Sequence, residues 1–140
     1  MRRSFLVLAV VATVAAVAAP AASAKSKCSN APSLPGWKSC LTGAFVPLGN
    51  GKITLTRATP TLVIRLAAPC SADLAKRKVV IRNAKGKRLT SAKVKGRCHN
   101  DVARFRVNIR PDLELKSGTV IHSFWSGIPD EHRSPKVKLG

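Results

Sequence analysis

The sequence predicts an all-β fold, a small antiparallel β-sandwich of about seven strands held by two disulfides. Three observations predict it. Short runs rich in β-branched residues are separated by turn chemistry at frequent intervals. Residues 102–110 alternate apolar and polar side chains. No segment beyond the N-terminal 24 residues carries a sustained apolar helical stripe. A small β-barrel satisfies the same pattern and stands as the alternative.

The N-terminal segment has a different character. Arg2 and Arg3 form a short basic start, Phe5 to about Ala19 is an apolar core, and Pro20 breaks it. Ala22-Ser23-Ala24 then places small residues where a signal peptidase needs them. Residues 1–24 are therefore expected to be a signal peptide, and residues 25–140 a single disulfide-bearing β domain that is secreted or extracytoplasmic. Arg-Arg-Ser-Phe-Leu resembles the twin-arginine export motif, but the short basic start and strong apolar core favour the general secretory route. An uncleaved anchor is the rival reading, since about 20 apolar residues span a bilayer. Pro20 and the alanine-rich composition speak against it. No later segment is apolar enough to cross a membrane, so none is expected after cleavage.

Lys25–Leu41 contains Pro32, Pro35 and Gly36 and shows no periodicity, which predicts a loop. Ala44–Leu48 and Lys52–Arg57 flank Gly49-Asn50-Gly51, and Asn-Gly is the strongest short hairpin signal because both residues tolerate positive φ. Thr61–Ala67 follows Pro60 and is β-branched. Lys78–Arg82 and Arg88–Val94 flank a second hairpin turn in which Gly86 suits a left-handed conformation. In Val102–Arg110, Ala103, Phe105, Val107 and Ile109 share one face, and Arg104, Arg106, Asn108 and Arg110 the other. Pro111–Lys116 reads as a single helical turn with Asp112 and Glu114 near its start. Gly118–Trp125 is a further strand, and Lys136–Leu139 a short last one. The expected core includes Val79, Ile81, Phe105, Val107, Ile109 and Ile121.

The stretch Val79-Val80-Ile81-Arg82-Asn83-Ala84-Lys85-Gly86-Lys87-Arg88-Leu89, with Ala92-Lys93-Val94 after it, resembles the strand–turn–strand of secreted bacterial immunoglobulin-like domains. Leu113-x-Leu115-x-x-Gly118-Thr119-Val120 is similar to the turn into a late strand of such sandwiches. The resemblance covers about half of residues 25–140 and implies an architecture without implying an activity. The Cys–Trp–Cys spacing of antibody domains is absent, and with no Tyr in the chain so is the tyrosine corner.

Cys28, Cys40, Cys70 and Cys98 are an even set in a chain expected outside the cytoplasm. No two are spaced like a zinc knuckle, so two disulfides are expected rather than a metal. Four cysteines allow three pairings, and locality favours Cys28–Cys40 with Cys70–Cys98. In the loop-entropy model these contribute roughly 3 and 3.5 kcal/mol.

Catalytic signatures are missing. The sequence has no Gly-x-Ser-x-Gly elbow, no phosphate-cradling glycine loop and no free thiol once the cysteines pair. Asp130-Glu131-His132, with His122 across the preceding turn, is the one cluster of metal-ligand types. Sequence neighbours do not converge on one ion, so it reads as a solvated loop. His99-Asn100-Asp101 reads as turn geometry. No catalytic residue, metal or cofactor is expected.

Charge is the strongest functional signal. The chain has 25 Lys and Arg against 6 Asp and Glu, a net charge of +19; without Arg2 and Arg3, 23 remain, or +17. Between Lys76 and Arg110 lie 13 basic residues and one acid, Asp101. Period-two spacing puts Lys93, Lys95 and Arg97 on one side of their segment and Arg104, Arg106 and Arg110 on one strand face. If the hairpin over 78–95 neighbours the strand over 102–110, the two rows merge. The expected function is a non-catalytic binding or structural module of the cell envelope or extracellular space. Its basic surface would serve an anionic cell-wall polymer, an acidic polysaccharide or lipid headgroups. Specific nucleic-acid binding is not expected, because Trp37, Phe45, Phe105, Phe124 and Trp125 are too few and too core-like for stacking platforms. The alternative is a small secreted hydrolase or inhibitor with an unrecognised site, and the bland reading of the charge is a solvating face.

Overall fold

In a computed structural model of the chain, residues 13–15, 21–30, 36–70, 74–128 and 134–140 are described. They form ten strands and no helix: β1 (Ser23–Asn30), β2 (Lys38–Gly49), β3 (Lys52–Arg65), β4 (Arg77–Asn83), β5 (Arg88–Val94), β6 (Arg97–His99), β7 (Val102–Arg106), β8 (Leu113–Lys116), β9 (Val120–Trp125) and β10 (Val137–Lys138). Two antiparallel sheets result. One has the order β1-β2-β3-β7-β6, with β8 pairing the other half of the long strand β3; the second has the order β10-β9-β4-β5. The chain crosses between sheets after β3, after β5 and after β8.

One apolar core lies between them. Leu41, Phe45, Ile53, Leu55, Leu62, Ile64 and Phe105 from the first sheet meet Val79, Ile81, Val94, Ile121, Trp125 and Val137 from the second. The Phe105 and Trp125 rings stand 6.2 Å apart and tilted by 59°, an aromatic pair that bridges the sheets. Val79, Ile81, Phe105 and Ile121 are buried as the alternation requires, whereas Val107 and Ile109 only pack against the core from its margin. Cys28 bonds Cys40 directly across the β1–β2 pair, and Cys70 bonds Cys98.

Four expectations are corrected. The segment expected as a loop from Lys25 to Leu41 contributes most of β1 and the start of β2. Its residues in β1 are polar because β1 is an edge strand exposed almost throughout, so no alternation marks it. The runs 52–57 and 61–67 belong to one strand, β3, which continues through Pro60 and ends at Arg65. The strand expected over 102–110 stops at Arg106, with Ile109 kept only as an isolated bridge to Ala58. The helical turn expected over 111–116 is strand β8, entered through Asp112 at φ 46°.

The interruption of 102–110 has a backbone cause. Ala58 and Ile109 exchange both backbone hydrogen bonds, and the same register places Val107 opposite Pro60. Val107 N–H donates to the Pro60 carbonyl at 3.4 Å, but proline has no N–H to return. The ladder breaks there.

The predicted signal segment lies mostly outside the described residues. β1 begins two residues before the expected cleavage point, and six of its eight register pairs, Lys25↔Gly43 to Asn30↔Lys38, involve residues beyond it. Among the described residues no helix is long and apolar enough to cross a membrane.

Candidate functional site

Arg104 and Arg106 stand on β7, whose inward positions are Ala103 and Phe105, so both arginines are held on the outer face by the burial of their neighbours. β6 supplies Arg97 directly opposite Arg104. Lys95 lies in the crossover from β5 to β6, and Lys93 two residues earlier on β5. All five are exposed.

They line two adjoining grooves. The first, about 450 Å³, runs over the outer face of the first sheet between Arg97, Arg104, Arg106 and Lys95, with Thr61, Val63, Val107 and Asn108 as its neutral lining. The second, about 770 Å³, is wider and follows the crossover past Lys93, Lys95, Gly96 and Arg97. Lys95, Arg97, Arg106 and Val107 belong to both, which makes one basic depression bent around the sheet edge. Asn108 is fixed at the rim, where its side-chain oxygen accepts the Thr59 hydroxyl at 2.7 Å.

The route by which these cations meet differs from the expected one. The hairpin β4–β5 belongs to the opposite sheet, and the neighbour of β7 is β6. Lys93 reaches the site around the edge, because Val94 beside it is buried and turns it outward. Arg110 is exposed beyond the break in the strand and lines neither groove.

Other arginines of the basic stretch have structural partners. Arg77 donates to the Ser126 carbonyl at 2.9 Å and lies 5.4 Å from the centre of the Phe105 ring. Arg82 donates to the Gly86 carbonyl at 2.8 Å and lies over Phe124 at 5.6 Å. Among the described residues the ion pairs are Lys52–Glu114 at 2.7 Å and Arg65–Asp101 at 3.9 Å, both exposed, and neither involves a groove cation. The Glu114 carboxylate, by hydrogen bond and charge, raises the Lys52 ammonium above its ordinary 10.5.

No group of three His, Cys, Asp or Glu that could hold a metal occurs among the described residues. Asp130-Glu131-His132 lies outside them. His122 is buried in β9, where its Nε2 donates to the Asn83 carbonyl at 3.0 Å and its ring meets Phe124 edge-on at 4.6 Å.

Comparison with protein-family models, curated proteins and solved structures finds no match to this chain. Two disulfides in a chain of this size fit an oxidising, extracytoplasmic compartment.

Proposed function

We propose that this is a secreted, non-catalytic module of the immunoglobulin-like type whose basic groove docks anionic polymers. The strand order supports the architecture. The path β2-β3-β7-β6 follows the A-B-E-D order of such domains, and β10-β9-β4-β5 follows G-F-C-C′. Strand β1, before the first of these, and β8, inserted between E and F, are additions. The disulfide Cys70–Cys98 joins the B–C connection to strand D rather than B to F.

One observation carries the function. Arg97 and Arg104 face each other directly across adjacent strands, with Arg106 and Lys95 beside them and no acid among the described residues of the lining. Like charges directly opposite one another destabilise a sheet. A purely solvating face gains nothing from that arrangement, whereas an oxyanion placed between the two guanidinium groups turns repulsion into charge-assisted hydrogen bonding.

The test is a triple substitution, Arg97→Gln, Arg104→Gln and Arg106→Gln, with binding to soluble anionic polymers measured at two salt concentrations. Affinity should fall, and the slope of log K against log salt should shrink by roughly 1 for each arginine that met an anion. Folding stability should hold or rise, since exposed cations in mutual repulsion contribute little to it. Unchanged binding in the triple variant would reduce the charge to a solvating face.

A further inference from the structure

We infer that the groove takes a linear phosphodiester chain without bases, in preference to charged sugar rings or a flat anionic bilayer. The inference rests on the polyanion reading above and narrows it. Three features of the lining point to this polymer.

The first is the donor type. Three of the five cations are arginines, whose planar forks hold phosphate or carboxylate through paired hydrogen bonds, where lysine acts as a point charge. Directly opposed residues in an antiparallel pair lie about 4.5–5.5 Å apart at their Cα atoms. Arg97 and Arg104 are such a pair, so both side chains start within reach of one anion on that face. A phosphodiester presents two free oxygens to that pair of donors.

The second is the repeat. Arg104 and Arg106 project from the same face of β7 at a spacing of about 7 Å, two strand residues. An anion centred on Arg97 and Arg104 thus has a second cation one short step along the strand, with Lys95 and Lys93 carrying the positive path around the edge. A chain with one charge in every short repeating unit uses each position.

The third is what the lining lacks. Bases, and sugar rings through their apolar faces, are held by stacking on aromatic side chains. Among the described residues, no aromatic side chain lines either groove. A bilayer is met by a protruding surface with apolar anchors; here the cations line a depression, and the exposed large apolar residues among those described, Val14, Leu48 and Leu66, are not part of its lining.

The experiment compares poly(glycerol phosphate), polygalacturonate, heparin, single-stranded DNA and phosphatidylglycerol vesicles at equal total anionic charge. The disulfide-bonded chain is used throughout. Poly(glycerol phosphate) should bind roughly ten-fold tighter than any other probe, the difference that one extra well-placed charge-assisted contact supplies. Arg97→Lys with Arg104→Lys keeps the charge and removes the forks. That variant should keep its salt dependence and lose the preference. Arg110→Gln, outside the groove, should change affinity little. Equal binding of all probes overturns the inference and leaves the general polyanion reading standing. Preference for vesicles or for a sugar polymer overturns it in favour of that ligand. Failure to bind any probe at low salt sinks both readings. Melting curves for each variant establish that a loss of binding is not a loss of fold.

Discussion

Gly96 sits where the chain passes from one sheet to the other, and space alone makes it glycine. A Cβ there would stand 2.6 Å from Cε1 of Phe105 and 2.9 Å from Leu74, closer than side-chain atoms approach. Phe105 cannot withdraw, because it is buried to 2% exposure between the sheets and paired with Trp125. Gly96→Ala therefore forces the crossover outward, and overpacking of this kind costs about 1–3 kcal/mol. Lys95 and Arg97 flank the glycine, so the same variant should also weaken polymer binding. Urea unfolding and a binding titration on one preparation check both effects; full stability in Gly96→Ala would show that the crossover has room to move. Phe105→Ala probes the other side of the contact. It should cost about 3–5 kcal/mol, the usual range for a buried phenyl ring. The alternation around Phe105 makes this residue legible from sequence, whereas Gly96 is not, because its constraint comes from a ring nine residues away on another strand.

At the level of elements, β3 decides what lies beside the site. Its length lets β7 pair with one half and β8 with the other, and Pro60 marks the junction. The amide of Val107 donates over 3.4 Å to a residue that cannot reciprocate, while the amides of Ala58 and Ile109 are paired at 2.8 and 2.9 Å. Hydrogen exchange should accordingly be faster at Val107 than at either neighbour. Equal protection at all three would mean that the ladder is continuous and the break only geometric. The same strand shows what the sequence conveys and what it hides. Both β-branched halves of β3 are readable, but their union is not, since proline in a central strand ordinarily argues against one. β1 is hidden because an exposed edge strand needs no apolar face. β8 is hidden because Pro111 and Asp112 are equally at home before a helix, and only the pairing of Leu113–Lys116 with Lys52–Leu55 settles the matter.

Over the whole molecule, the groove cations were individually legible from their period-two spacing, but their assembly depends on which sheet each strand joins. That choice is tertiary, made by Phe105 and Val94 entering a common core. The disulfide Cys70–Cys98 holds the result in place: it ties the segment after β3 to β6 and encloses both strands of the opposite hairpin. The charge of +19 works against this compactness, because folding brings the cations closer than they are in the expanded chain. Raising salt from about 0.01 M to about 0.15 M shortens the screening length from about 30 Å to about 8 Å. Screening also weakens Lys52–Glu114 and Arg65–Asp101, but both pairs are exposed and contribute little. Repulsion therefore dominates, and the melting temperature should rise over that interval. A polyanion that binds the native groove should add a saturable increment at low salt, since a ligand at about 100 times its dissociation constant contributes about 2.7 kcal/mol. For a domain of this size that corresponds to a rise on the order of 10 °C. Added salt should then shrink the increment while the ligand-free baseline climbs, so the two curves converge. A melting temperature that falls with added salt, or a polymer increment that persists at high salt, would show that charge repulsion is not what the groove relieves.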